Sequence, residues 1–169
     1  DAQRKLIAQA RARLLIRQGK YEEAEAAMRK AIEAGIADIG TVSIKVANQQ
    51  GPAFEYEHFV DLSRADLARI LVLQGRLNDA ELVAREALLS VIARFGGQSS
   101  QAAYVLVAMT QVLQEQGRFA EAVQLGTLAV RAFEAAGAVP DAEFLLLARQ
   151  SLAAAHVARA SYDAALLEY

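Results

Sequence analysis

Along this chain, small and bulky apolar residues recur at fixed distances from four points. The points are Gly19, Gly75 and Gly117, with Ala160 in the equivalent place of the last copy. Seven residues before them lie Ala12, Ala68, Thr110 and Ala153, and five after them Ala24, Ala80, Ala122 and Ala165. Twelve after the glycines lie Ala31, Ala87 and Ala129, while Tyr21, Leu77, Phe119 and Tyr162 follow the four points by two. Alanine makes up about a fifth of the chain, so one match means little. A complete set at two offsets, with a bulky residue at a third, is hard to obtain by chance. The motif around these points repeats as well: QGKYEEA from Gln18, QGRLNDA from Gln74, QGRFAEA from Gln116 and a degraded RASYDAA from Arg159. A repeated unit of this size predicts a stacked array rather than one closed globule.

The residue types predict helical hairpins. Antiparallel helices approach closely only where side chains are small, which accounts for the alanines. A glycine that ends the first helix takes the left-handed conformation without a steric penalty, and the bulky residue beyond it fills the wedge beside the turn. Eight helices are expected, at about 3–18, 21–34, 54–74, 77–95, 99–116, 119–136, 141–158 and from 161 onward. Pro52 and Pro140 suit first helical turns, and Gly96, Gly97 and Gly137 punctuate the joins. Glu22, Glu23 and Glu25 followed by Arg29 and Lys30 match the helix dipole, a matter of stability.

The same pattern resembles the tetratricopeptide repeat. The resemblance implies an all-α, right-handed α-solenoid of antiparallel hairpins, a TPR-like superhelix, over residues 1–169. Gly75 to Gly117 spans 42 residues and Gly117 to Ala160 spans 43, against the usual 34. The spacing is similar to the long-helix variety found in kinesin light chains and in bacterial signalling and caspase-like (CHAT) proteins. Gly19 to Gly75 spans 56 residues, so about 14 are inserted in the first connection. The array therefore divides into repeat 1 at about 1–35, the insertion at about 36–53, repeat 2 at about 54–96, repeat 3 at about 97–137 and a partial repeat 4 at about 138–169. Val42, Ile44 and Val46 alternate with Ser43 and Lys45 as in a strand, while Ile36, Ile39, Val42 and Val46 fit a helix face equally well. Either an extended second helix, a connecting loop or a plug over the groove satisfies that stretch.

The family resemblance implies that the first helix of each hairpin lines a concave face. Counting back from the turn points, the groove residues expected are Leu6, Gln9 and Arg13, then Leu62, Ala65 and Arg69. Tyr104, Val107 and Gln111 follow, then Leu147 and Gln150, with Ile16, Val72, Gln114 and Val157 further along. This mostly apolar surface with two arginines suits an amphipathic helix or an extended peptide carrying an acidic residue. The leucines serve equally well as core, and the arginines as solvated or structural partners. Family members that grip the C-terminal carboxylate of chaperones place Lys and Asn in such positions. Gln9, Arg13, Arg69 and Gln111 stand there instead, so that clamp is not expected.

Other chemistries find little footing. The chain has no Cys, excluding disulfides and thiolate metal sites, and its apolar runs are too short to span a membrane. A net charge of −2 gives no long-range attraction to nucleic acid, although Arg4, Lys5, Arg11, Arg13 and Arg17 make the first helix basic. His58 with Glu55 and Asp61 could share a helix face, but three ligands from one helix with no further histidine nearby make a weak metal site. His156 falls where other copies have leucine and is expected to be core or half-buried. No phosphate loop, serine elbow or HExxH appears, so neither an enzyme nor a cofactor is expected. The chain has no initiator Met and stops early in a hairpin, suggesting a piece of a longer protein. The compartment stays open, with the cytoplasm favoured.

Three functions remain. A scaffold that holds a protein or peptide partner in its groove comes first. A regulatory array of a larger enzyme or signalling protein, such as a caspase-like one, comes second. A structural array that self-associates through uncapped ends comes third.

Overall fold

The computed structural model describes the backbone of residues 2–45, 52–139 and 142–168, and the side chains of 7–39, 59–139 and 142–168. Among the described residues the chain forms eight helices and no strand. They are α1 (Ala2–Arg17), α2 (Tyr21–Lys45), α3 (Pro52–Leu73), α4 (Leu77–Phe95), α5 (Ser100–Glu115), α6 (Phe119–Ala135), α7 (Glu143–Ala158) and α8 (Tyr162–Leu166). Successive helices pack in antiparallel hairpins, and the first helices α3, α5 and α7 also pack on one another. Among the described residues no comparable contact joins the second helices to each other, so α3, α5 and α7 form an inner layer, as in a TPR-like solenoid.

The turns between paired helices share one hydrogen-bond pattern. Gly19 N–H donates to Ile16 carbonyl at 3.0 Å and Lys20 N–H to Leu15 at 2.9 Å. Gly75 and Arg76 do the same to Val72 and Leu71, and Gly117 and Arg118 to Gln114 and Leu113. These paired bonds close the helix end by satisfying carbonyls that have no partner further along. They need a left-handed residue, and φ is +72°, +75° and +74° at the three glycines. Ala160 is forced to the same place, with φ +57°, the one positive-φ non-glycine among the described residues. The next residue starts the following helix at once, since Lys20, Arg76 and Arg118 carbonyls accept from Ala24, Ala80 and Ala122 N–H at 3.0 Å.

The alanine register lies in the core throughout. Ala12, Ala24, Ala68, Ala80, Ala87, Ala122, Ala129, Ala153 and Thr110 are fully buried, with Ala31 and Ala165 nearly so. Met28, Leu71, Leu113, Val91 and Leu145 fill the layers between hairpins. Gly126 and Gly35 extend the rule: a Cβ on Gly126 would stand 3.3 Å from the Leu152 backbone, and one on Gly35 would stand 2.7 Å from Val60 Cγ2.

The described residues on either side of the first connection belong to two lengthened helices. α2 has 25 residues and α3 has 22, against 16–19 in α4 to α7, so each gains about two turns at 3.6 residues per turn. Of the strand and helix readings of this stretch, the structure shows the helix for residues up to Lys45. Tertiary packing decides it, because α2 and α3 extend along each other and Gly35 brings them together against Val60 and Phe59. Val46 and Gly51 lie outside the described residues, as does Pro140. Pro52 opens α3, where its missing N–H costs nothing.

Neighbouring repeats are joined at their turns by an ionic clamp. Arg76 Nη1 donates to both Glu25 oxygens, at 3.0 and 2.9 Å, and its Nε to Asp79 at 2.9 Å. One repeat later Arg118 donates to Glu81 at 2.9 Å and to Glu121 at 2.8 and 2.6 Å, and Gln116 Nε2 donates to Glu81 at 2.7 Å. The recurrent Gln-Gly-Arg of the turn is thus a grip on the glutamate of the preceding repeat. At the third joint the corresponding positions hold Ser161 and Val123, so no such pair can form. Hydrogen bonds from Gln116 and Arg85 lead in lowering the Glu81 carboxyl, from 4.5 to about 2, with Arg118 adding to them against partial burial.

Three measurements test this account. Ala80→Leu or Ala122→Leu should cost about 1–3 kcal/mol by overpacking the crossings, while Ala120→Leu, on an exposed site, should be nearly silent in the same melts. Ala160→Gly should gain about 0.5–1 kcal/mol, as relief of the left-handed strain outweighs the entropy glycine adds to the unfolded chain. Glu81 has a depressed folded pKa, so its contribution is complete above pH 4.5 and fades as pH falls through about 2. Glu81→Gln should therefore be less stable than wild type by about 1 kcal/mol near neutrality, a gap that closes across that acid window.

Candidate functional site

Because the first helices stand side by side, their inward residues meet in one concave cavity of about 210 Å³. Gln9 and Arg13 come from α1, Leu62 and Asp66 from α3, Ser100, Gln101 and Tyr104 from α5, Phe133 from α6 and Phe144 from α7. The floor is aromatic. Phe144 meets Tyr104 edge-on at 5.4 Å between centroids and stacks parallel to Phe133 at 6.5 Å. It leaves 46% of its surface exposed, which offers a ligand an apolar ring at the cavity mouth.

The polar wall centres on Asp66. Its Oδ1 accepts the Tyr104 hydroxyl at 2.6 Å and Arg69 Nη1 at 3.2 Å. Arg69 Nη1 also donates to the Tyr104 oxygen at 3.0 Å, and its guanidinium lies 4.7 Å from the ring centroid. Burial is the main force pushing the Tyr104 phenol above its usual value, with Asp66 adding to it, so the hydroxyl remains a donor. Arg13 Nη2 stands 3.9 Å from Asp66 Oδ2, beyond hydrogen-bond range, with its side chain 63% exposed. The groove continues along α1 past Gln9, Ala10, Arg13 and Leu14 to Arg17. Gln9 Nε2 donates to Ser63 at 3.2 Å, linking α1 to α3.

Of the residues expected from the sequence, Gln9, Arg13, Leu62 and Tyr104 come together in this cavity. Ala65 and Val107 do not contribute surface: both are buried at the contact of α3 with its neighbours. Asp66, one position beyond Ala65, faces the cavity instead. Arg69 is held by Asp66 and Tyr104 through hydrogen bonds, whereas Arg13 makes only a loose ion pair with the same Asp66. Gln111 and Leu147 are half-buried and Gln150 is exposed, outside this cavity, and the Leu6 side chain lies outside the described residues. Further along, Gln114 Nε2 donates to the Ser151 carbonyl at 2.7 Å, tying α5 to α7 rather than facing a ligand.

Phe133, Phe144 and Gln101 were not anticipated. Gln101 and Phe144 share one signal, sixteen residues before Gly117 and Ala160, one turn further out than the expected set. Phe133 comes from a second helix and carries no such signal.

Elsewhere, His156 is half-buried. Asp61, considered as a ligand with Glu55 and His58, is fully buried and engaged by Ser90, Arg94 and Arg64. The side chains of Glu55 and His58 lie outside the described residues. No helix among the described residues is long and apolar enough to cross a membrane.

A tetratricopeptide-repeat family model matches residues 7–34, the first hairpin. A crystal structure of nearly identical TPR-like repeats from Podosopora anserina, described as a kinesin light chain, superposes with a TM-score of 0.54. At 14% identity it covers 95% of this chain and 89% of that one, a likeness of fold. The first hairpin therefore matches the tetratricopeptide repeat, and the array as a whole has a TPR-like solenoid fold. No curated protein matches the sequence. Arrays of this family are protein-interaction modules and typically non-catalytic scaffolds.

Proposed function

We propose that this tetratricopeptide-repeat array is a non-catalytic scaffold that holds a segment of a partner protein in its concave groove. The single observation that carries the reading is the cavity at α1, α3, α5 and α7, where an exposed aromatic ring stands beside a cation with no hydrogen-bonded acid. Such a combination suits a bulky apolar side chain as anchor and a neighbouring carboxylate. The segment is a short helix or extended peptide, since the cavity is small and opens onto a groove along α1. Tyr104 and Arg69, fixed by Asp66, shape the wall so that little order is lost on binding.

The test begins with a partner captured by the intact chain from cells of its source and identified by mass spectrometry. Phe144→Ala should weaken the purified pair about tenfold, the scale of losing an aromatic anchor, and Arg13→Ala should weaken it less. Arg13→Ala should leave the melting temperature unchanged. Arg69→Ala should lower both affinity and melting temperature, because it also strips Asp66 and Tyr104 of their hydrogen-bonded arginine. Full affinity in both Phe144→Ala and Arg13→Ala would place the binding surface elsewhere.

A further inference from the structure

The charges around the cavity are unevenly distributed, and Asp66 is the reason. Two arginines from adjacent repeats occupy equivalent places, yet only one is available to a ligand. Arg69 is four-fifths buried, makes its hydrogen bonds through Nη1 alone, and has Asp66 as its only ion-pair partner among the described residues. Arg13 is held only by a loose ion pair to the same Asp66 at 3.9 Å, which leaves its hydrogen-bonding capacity to a ligand, and Arg17, one turn along α1, has no ion-pair partner among the described residues. On the opposite side of the aromatic floor the cavity is lined by Ser100 and Gln101, which are uncharged. Arg149 of α7 is paired with Glu134 at 3.1 Å. Among the described residues that line the cavity and its groove, positive charge not held by a hydrogen-bonded acid therefore stands on the α1 side of the anchor.

Resting on the groove reading above, we propose that Asp66 is a specificity-determining residue that makes the groove accept a carboxylate on one side of its apolar anchor only. By neutralising Arg69, which stands behind the Asp66–Tyr104 wall, it removes a second cation that would otherwise attract acid from either side. A carboxylate placed toward α1 gains Arg13 and Arg17. One placed toward α7 finds no cation and loses hydration without compensation. The occupant is thus a segment with one bulky apolar residue and acid on a single side of it, bound in one direction.

Two acetylated and amidated peptides of identical composition make the probe, each with one phenylalanine and two glutamates placed wholly before it or wholly after it. Titrated against the intact chain by NMR at low salt, one order should bind wild type about tenfold more tightly than the other. Asp66→Asn frees Arg69 and should cut that ratio to about twofold, chiefly by strengthening the weaker peptide. Arg13→Gln should also cut it, by weakening the stronger one. Equal affinity of the two orders for wild type overturns the proposal, even if Asp66→Asn does not fold. So does an unchanged ratio in an Asp66→Asn protein that melts as a folded array. Binding that ignores Phe144→Ala marks a different failure, since it would remove the groove reading itself.

Discussion

Helix axes in this array can close only where a methyl group or less stands between them, and the other features of the molecule follow from that limit. Ala24, Ala80 and Ala122, each at the same distance past a turn, let the second helix of a hairpin lie against the first. Ala12 and Ala68 stand at the matching place in the first helices of the first two hairpins and Thr110 in the third, while Ala153 is matched by Ala165 in the fourth. Where no methyl fits, at Gly35 and Gly126, the side chain is absent altogether. Close crossings set the spacing between hairpins, and that spacing brings the first helices α3, α5 and α7 into one inner layer. The cavity exists because that layer is continuous.

The joints are not equivalent, and the turn motif explains the difference. At the first two, the arginine after the turn glycine reaches back to Glu25 or Glu81 of the preceding repeat, so one short motif closes a helix, starts the next and ties two repeats together. At the third joint the glycine is Ala160, the arginine is replaced by Ser161 and the glutamate by Val123. The backbone pattern nevertheless persists, with Ala160 N–H donating to Val157 at 2.8 Å and Ser161 N–H to His156 at 2.8 Å. The hairpin shape is carried by local backbone chemistry, and the clamp is an addition to it.

In the groove, burial separates residues that sequence position treats as equals. Arg13 and Arg69 occupy the same register, but Asp66 and Tyr104 hydrogen-bond only the second, and Arg13 stands 3.9 Å from Asp66. That converts Arg69 from a ligand-facing charge to part of a wall, while Arg13 stays in solvent. The partner-binding role proposed here depends on this inequality more than on the number of cations.

The chain alone determined the helical hairpins, the turns and the crossing residues, because each depends on contacts within about 40 residues and on one or two residue types at fixed offsets. It also determined four of the cavity residues, Gln9, Arg13, Leu62 and Tyr104, since the inner face of a helix follows from its period. It left open the first connection, where glycines weaken both a strand and a helix. Only packing of α2 against α3 decided for helix up to Lys45 and from Pro52. It could not rank Ala65 below Asp66, or find Phe133, because one residue of rotation about α3 and the reach of a second helix are set by neighbouring repeats. Local chemistry repeats along a chain and can be counted. The facing of a side chain in a groove is a property of three or four helices at once, and it exists only after they have packed.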